Sequence, residues 1–305
     1  MSVLAQPERK PPNRDTVFQD FYMKHEGYVV RTMNRKEVDL AIEWAAREGW
    51  NPGIHDADCF YSADPKGFFI GLLGNEPIAT ISAIKYGKSF GFLGFYIVKP
   101  EHRGNGYGLQ IWNAALKYLE GRDVGLDGVV VQQENYKRSG FKLAYRNVRR
   151  ESHGGGNFPE YPDIARLSSL PFEAVNSYDR PFFPEDRTQF IRSWVNQAGC
   201  KAFGVMQNGK LAGYGVARRC RSGYKIGPLF ADTVEKAEAL FLALRSGINA
   251  AEPIYLDTPE INRSAVGLAE RYSMKVVFET VRMYMGEAPD LPLNRIFSVT
   301  SFEVG

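Results

Sequence analysis

A glycine-rich loop, Arg103–Gly108 (RGNGYG), constrains the fold of this 305-residue chain more than any other feature of its sequence. The loop follows an apolar stretch that ends at Val98 and precedes a segment with the apolar spacing of an amphipathic helix. Glycines permit backbone angles that residues with a Cβ atom disfavour, so consecutive N–H groups in such a loop can face one concave site. The N-terminus of the following helix and the guanidinium of Arg103 add positive charge to that site. The loop therefore predicts a binding site for an anion, with a pyrophosphate as the best fit.

Three other interpretations of this loop region fit the sequence less well. A dinucleotide-binding GxGxxG fingerprint needs a glycine where Leu109 stands, and the sheet before the loop is predicted to be antiparallel. A Walker A loop ending in Gly87-Lys88-Ser89 needs a glycine in place of Ser82 and a helix where a strand is predicted. An ordinary strand–helix turn leaves the arginine beside so dense a run of glycines unexplained.

Patterns typical of strands and helices alternate along the N-terminal half of the chain. Turn signals at Gly74-Asn75 and Gly87-Lys88 join three apolar stretches into an antiparallel meander. The strand after the loop and helix must lie parallel to the last meander strand, because a helical crossover returns the chain to the same sheet. The predicted elements are a strand at 27–33, a helix at 35–48, strands at 68–73, 78–86 and 90–98, a helix at 109–120, and strands at 128–132 and 141–148.

The C-terminal half repeats this pattern in part. A shift of 134 residues places the turn at Asn208-Gly209 on Gly74-Asn75 and aligns the strands on either side. This match favours a duplicated fold, and the alternative is two unrelated α+β domains with common elements. The predicted organisation is a disordered lead-in at 1–18, an N-terminal domain at 19–150, a polar, glycine-rich linker at 151–163, and a C-terminal domain at 164–305 that lacks the glycine-rich loop.

Composition excludes several classes of function. Apolar residues make up 44% of the chain and the net charge is only +3, so the strong basic footprint of a nucleic-acid-binding protein is missing. The three cysteines are odd in number and far apart, which favours a reducing compartment, and the four histidines show no metal-ligand spacing. The sequence has no apolar run as long as a membrane span. We therefore expect a cytoplasmic protein without a metal, a membrane partner or a nucleic-acid partner.

The stretch VKPEHRGNGYG resembles the acetyl-CoA-binding signature of the GNAT superfamily of N-acetyltransferases, in which V-x-P is followed by R-x-x-G-x-G/A at the start of a helix. The signature positions are Val98, Pro100, Arg103, Gly106 and Gly108. The order of elements and the downstream Tyr-x-x-x-Gly-Phe pattern are also similar to that family. The resemblance extends to its tandem subgroup, in which one half alone carries the full signature. It implies an α+β fold of two GNAT-like domains, each a mixed, mostly antiparallel sheet flanked by helices, with a splayed parallel strand pair.

The same resemblance implies a set of functional residues. Acetyl-CoA would bind to Tyr96, Ile97, Val98, Arg103, Gly104, Asn105, Gly106, Tyr107, Gly108 and Asn135. Backbone N–H groups around Ile97 and Val98 would polarise the thioester carbonyl, and Tyr136 would protonate the leaving thiolate. The expected reaction is transfer of an acetyl group to the amine of a small molecule, by a monomer or a homodimer.

Two departures from the family pattern keep alternatives open. Residues 132–135 leave room for about one helical turn before Tyr136, and the strand from Ser89 to Val98 has no acidic residue to act as a base. Trp50, His55 and Asp56 lie in the loop that would border the acceptor site, and each also fits a packing or capping role. The alternative functions are a protein or peptide N-acetyltransferase and an acyl-CoA-binding sensor without turnover.

Overall fold

A computed structural model describes residues 27–156 and 161–305 of the chain. The predicted lead-in at 1–18 and part of the predicted linker lie outside these residues. The helices are α1 Arg35–Arg47, α2 Asp56–Ala63, α3 Tyr107–Tyr118, α4 Gln133–Arg138, α5 Phe172–Asp179, α6 Thr188–Val195, α7 Val234–Ser246 and α8 Arg263–Arg271. The strands are β1 Tyr28–Thr32, β2 Phe68–Leu73, β3 Glu76–Tyr86, β4 Phe90–Val98, β5 Asp123–Val129, β6 Lys142–His153, β7 Ile164–Arg166, β8 Lys201–Gln207, β9 Lys210–Arg219, β10 Tyr224–Ala231, β11 Pro253–Pro259, β12 Lys275–Met285 and β13 Ile296–Ser298.

Local sequence signals explain where the first helix lies. At the start of α1, the Asn34 side chain accepts from the Glu37 N–H at 3.1 Å, and the Glu37 carboxylate accepts from the Asn34 N–H at 2.9 Å. This reciprocal pair satisfies two backbone donors that the first helical turn leaves without partners. The face with Val38, Ala41 and Ala45 is buried, as the apolar spacing predicts.

The strands of both halves form one continuous sheet. Its order is β1-β2-β3-β4-β5-β12-β6-β11-β10-β9-β8-β7, with β13 paired to β10. Neighbours are antiparallel except for the pairs β4–β5 and β10–β11. The predicted α+β class, with a mostly antiparallel sheet flanked by helices, is therefore confirmed.

Strand exchange joins the two halves. β12, from the second half, lies between β5 and β6, and β6, from the first half, pairs with β11. The predicted strand at 128–132 is displaced, because the parallel partner of β4 is Asp123–Val129. The linker predicted to begin at residue 151 begins later, because Glu151–His153 still belong to β6.

The halves also share one apolar core. The ring of Phe60, on α2, stacks on Trp194, on α6, with 5.7 Å between centroids. Arg218, on β9, forms a buried ion pair with Asp56, on α2, at 3.0 Å. The two halves are therefore packed as one body at this interface. In the described part of the chain, the helices are too short or too polar to cross a membrane.

Candidate active site

The parallel strands β4 and β5 separate part of the way along their length. They pair from Phe90↔Asp123 to Leu93↔Leu126, after which β5 stays paired with β12. A bulge in β4 causes the change of direction, because the register with β3 gains one residue between Gly94 and Ile97. Within the bulge Phe95 has a φ of 47°, and its carbonyl oxygen accepts from the Thr80 hydroxyl at 2.8 Å. The result is an open fork between β4 and β5.

A cavity of about 780 Å³ occupies this fork. Its walls come from β4, β5, the glycine-rich loop, α3, the exchanged strand β12 and the segment after β13. Nine predicted residues line it: Trp50, Tyr96, Ile97, Val98, Arg103, Gly104, Gly106, Gly108 and Tyr136.

The glycine-rich loop has the backbone conformation that its sequence predicts. Gly104 and Gly106 both have a φ of 81°, in the left-handed region that residues with a Cβ atom rarely adopt. Gly106 is the N-cap residue of α3, and within the described chain no side chain caps this helix. The first amides of α3 therefore face the loop, and an anion is the partner that suits them. These features suit a diphosphate, as the sequence predicts.

Arg103 has other partners in this structure. Its Nε donates to the Val98 carbonyl oxygen at 2.8 Å, and one Nη donates to the Glu48 carboxylate at 2.5 Å. The guanidinium thus ties the end of β4 to the end of α1, and its side chain is half exposed. A contact from Arg103 to phosphate stays a prediction.

Three of the predicted cofactor-binding residues lie outside the cavity lining. Asn105 is exposed in the loop, and Tyr107 packs its ring against Tyr28, with 4.9 Å between centroids. Asn135 is exposed and donates to the Gln132 side chain at 2.5 Å. Their contact with the cofactor therefore also stays a prediction.

Tyr136 lies on the short helix α4 and points into the fork. The side chain is buried, and its ring stacks on Trp112 with 5.7 Å between centroids. Burial raises the pKa of Tyr136 above its usual range, and the nearby Tyr96 adds to this effect. The phenol therefore keeps its proton at neutral pH, which is the state that a proton donor needs.

One of the three residues predicted to border the acceptor site lines the cavity. Trp50 lines it, and its carbonyl oxygen accepts from Arg149 at 2.8 Å and from Lys225 at 3.0 Å. The substrate contact predicted for Asp56 is wrong, because this side chain is fully buried and bound to Arg218. His55 is exposed at the start of α2, outside the cavity lining, so its contact with a substrate stays a prediction.

The second half supplies cavity residues that the sequence analysis missed. Thr280 arrives on the exchanged strand β12, while Phe302 and Glu303 arrive on residues 299–305, the segment that follows β13. Thr280 Oγ1 and Glu303 Oε2 are buried and have no hydrogen-bond partner among the described residues. The missing acid on β4 is a sequence signal for Glu303 alone, since it indicates either that a base comes from elsewhere or that the amine arrives already neutral.

The second half closes its own fork. β10 and β11 pair from Tyr224↔Ile254 to Ile226↔Leu256, and β13 then pairs with β10 at Leu229 and Phe230. The Ser298 hydroxyl completes this closure, because it donates to the Ile226 carbonyl at 2.7 Å and accepts from the Asp257 N–H at 2.9 Å. In the second half, β13 thus occupies the position that corresponds to the cavity of the first half.

One cluster has the residue types of a metal site. Glu76, Glu101 and His102 hold possible ligand atoms within 4.8 Å of one another on the surface of the described chain. Glu76 already pairs with Lys99 at 2.6 Å. An ion pair and surface exposure account for this cluster.

Comparison with known proteins assigns the fold to a family. A model described as Acetyltransferase (GNAT) family matches residues 35–141, and one described as Acetyltransferase (GNAT) domain matches residues 175–298. The chain therefore belongs to the GNAT acyltransferases and carries two GNAT domains in tandem. The duplicated fold predicted from the internal repeat is confirmed.

Individual relatives agree with this assignment. The holothin acyltransferase of Pseudoalteromonas sp. (strain SANK 73390) is 27% identical over 92% of this chain and 96% of its own length. An acetyltransferase structure from Pyrococcus horikoshii matches with a TM-score of 0.78 at 19% identity, over 93% of this chain and 98% of its own. A tandem GNAT protein from the clavulanic acid biosynthesis pathway matches with a TM-score of 0.59 at 12% identity, over 86% of this chain and 100% of its own. The two structures support the fold.

Proposed function

We propose that this protein transfers an acyl group, acetyl in the simplest case, from acyl-CoA to the amine of a small molecule. The observation that carries the proposal is the fork between β4 and β5, which opens beside a helix N-terminus without a side-chain cap. The fork accepts an extended ligand, and the loop accepts its diphosphate. The similarity to a holothin acyltransferase along nearly the whole chain supports the same reaction class.

Different residues of the cavity would carry out different parts of the reaction. Amides of the loop and of α3 would hold the diphosphate of the donor. The edge of β4 beyond Leu93 faces the fork, so its backbone can bind the pantetheine amides and polarise the thioester carbonyl. The Tyr136 phenol would give its proton to the departing sulfur.

The shape of the cavity favours a small acceptor. Trp50, Phe278 and Phe302 line it and offer apolar walls to the body of a substrate. Phe278 belongs to β12 and Phe302 to residues 299–305, so the second half supplies part of these walls. A protein or peptide acceptor would need an open groove here.

Release of coenzyme A thiol tests the proposed function. Purified protein with acetyl-CoA and a panel of small amines should release thiol in step with the formation of an N-acyl product detected by mass spectrometry. Donors with longer acyl chains, tested in parallel, establish the acyl group. Binding of acetyl-CoA without thiol release for any amine would point to a sensor, and acylation of added proteins alone would point to a protein acetyltransferase.

A glycine substitution in the loop tests where the donor binds. Gly104→Ala is expected to weaken the affinity for CoA about tenfold or more, measured as Kd by calorimetry. A Cβ atom strains the left-handed backbone by ~1 kcal/mol, and relief of that strain turns the amides away from the anion.

Gly121→Ala is the matched control for this loop substitution. Gly121 has a φ of 80° at the other end of α3, and a Cβ atom at either glycine would have no neighbour within 4 Å. Both variants should lose similar thermal stability, while Gly121→Ala keeps its affinity for CoA. Equal affinities in the two variants would separate the loop from donor binding.

A further inference from the structure

Glu303 is a buried carboxylate that faces the cavity. Glu303 lines the fork, and the residue is 3% exposed. Oε2 has no hydrogen-bond partner among the described residues. A buried carboxylate oxygen without a donor is costly, so such a group suits a ligand that brings a donor to it.

The backbone of Glu303 lies where β4 and β5 separate. A Cβ atom at Gly94, the residue after the last β4–β5 pair, would overlap the Glu303 carbonyl oxygen, so this close approach requires glycine. The Ser82 hydroxyl, on β3, donates to the same oxygen at 3.3 Å. Glu303 thus stands at the narrow end of the fork, where the reacting part of the donor would lie.

The segment around Glu303 is held firmly. The Ser301 hydroxyl accepts from the N–H groups of Glu303 and Val304, at 3.2 and 3.1 Å. The Tyr86 hydroxyl donates to the Val304 carbonyl at 2.8 Å, and an Nη of Arg187 donates to the Gly305 carbonyl at 3.3 Å. These buried contacts fix the backbone while leaving the Glu303 carboxylate for a ligand.

Three buried cations interact electrostatically with the carboxylate. Arg149 binds Asp257 through two hydrogen bonds, at 2.7 and 2.8 Å, and Arg218 binds Asp56. Lys225 is the third cation of this group, and its Nζ donates to the Trp50 carbonyl oxygen. Glu303 interacts electrostatically with Lys225, Arg149 and Arg218, so it balances the charge of Lys225 without being bound to it.

We propose that Glu303 is the catalytic base of this protein and removes a proton from the acceptor amine. The inference rests on the proposed function. Glu303 would supply the acidic residue that β4 lacks. It lies on residues 299–305 of the second half, which run from the closed fork between β10 and β11 to the open fork between β4 and β5.

The protons of the reaction balance in this scheme. The acceptor enters as an ammonium, and the Glu303 carboxylate takes one proton to give the neutral amine. The nitrogen forms a bond to the thioester carbon, and the carbon–sulfur bond then breaks. Tyr136 gives its proton to the sulfur and regains one from the new amide nitrogen, so the products are the amide, the CoA thiol and one proton that Glu303 returns to solvent.

Two substitutions at Glu303 separate charge from shape. Glu303→Gln keeps the size but removes the negative charge, and kcat is expected to fall ~10²–10⁴-fold, the usual contribution of a general base. Glu303→Asp keeps the charge on a shorter side chain and should retain more turnover than Glu303→Gln. Both variants should bind CoA within about twofold of the wild-type Kd, because the base acts on the acceptor. Glu270→Gln, at an exposed carboxylate on α8, is the control and should leave kcat unchanged.

The pH dependence provides a second readout. As pH rises toward the pKa of the acceptor amine, more of the amine is already neutral, so the deficit of Glu303→Gln should shrink. A deficit that stays constant with pH, a Glu303→Gln variant more active than Glu303→Asp, or a loss of CoA binding would each overturn the assignment. Wild-type protein that releases thiol while Glu303→Gln matches it would overturn this inference alone. Wild-type protein that releases no thiol with any amine would overturn the proposed function and the base with it.

Discussion

Replacement of Tyr136 by phenylalanine is expected to lower kcat for acyl transfer about 10²-fold or more, while the affinity for CoA stays near the wild-type value. Phenylalanine keeps the ring that stacks on Trp112 and removes only the hydroxyl, which is the group proposed to protonate the leaving sulfur. Steady-state thiol release gives kcat, and calorimetry with CoA gives the affinity.

The pH profile checks the protonation state of the phenol. Burial raises the pKa of Tyr136, with a smaller contribution from Tyr96, so the folded protein keeps the proton above pH ~10, where a free tyrosine loses it. Ionisation of Tyr136 should therefore cause no loss of wild-type activity up to that pH. A decline centred below it, absent from Tyr136→Phe, would contradict this protonation state.

Tyr118→Phe is a matched control for the tyrosine substitution. The Tyr118 hydroxyl donates to both oxygens of Asp64, at 3.2 and 3.0 Å, outside the cavity lining. Its loss should lower the free energy of unfolding by ~1 kcal/mol and leave kcat unchanged. If Tyr136→Phe were as active as Tyr118→Phe, the proton would have to come from another group.

Short-range sequence signals predict most of the elements. The apolar spacing around Trp112 and the glycine at position 121 predict α3, which ends at Tyr118 in the structure. The repeat at 134 residues aligns the start of β10, Tyr224, with the start of β4, Phe90. Such signals lie within one turn, one helix or one strand, so a single sequence can reveal them.

The exchange of strands was not predictable from these patterns. Ordinary turns flank β6 and β12, so they do not mark either strand as exchanged. The alternation of apolar and polar residues along a strand shows which face is buried, but it does not show which strands lie beside it. Pairing β12 with both β5 and β6 depends on the packing of the complete chain. The sequence patterns therefore predict the second half as a separate domain, although its strand β12 lies inside the sheet of the first.

Local sequence signals also predict only part of the candidate site. The glycine-rich loop is contiguous, so its residues could be predicted together, and most of them line the cavity. The loop position of Asp56 predicts a substrate contact, since its actual partner, Arg218, lies 162 residues away and leaves no local signal. Glu303 belongs to no sequence motif and reaches Ser82 across 221 residues. Sequence motifs do not reveal side chains that come together only through the joint packing of both halves.

Replacement of Asp56 by asparagine is expected to lower the free energy of unfolding by ~3–5 kcal/mol, because it leaves the buried Arg218 guanidinium without its anion. Arg218 donates to both oxygens of Asp56, at 3.0 and 3.2 Å, and both side chains are almost completely buried. The pair joins α2 to β9, so its loss should loosen the interface that carries Trp50 and the segment with Glu303. Urea unfolding followed by fluorescence, with a linear extrapolation, measures the change.

Asp58→Asn, two residues along the same helix, shows how much of this effect depends on burial. Asp58 pairs with Arg35 at 2.6 Å, but its side chain is 74% exposed, so this pair should contribute less than ~1 kcal/mol. The double variant Asp56→Leu with Arg218→Met removes both buried charges and should recover much of the stability lost in Asp56→Asn, since apolar side chains often replace a buried ion pair at little cost. If Asp56→Asn were no less stable than Asp58→Asn, the buried pair would not hold the halves together. The position of Glu303 in the cavity of the first half would then depend on the shared apolar core alone.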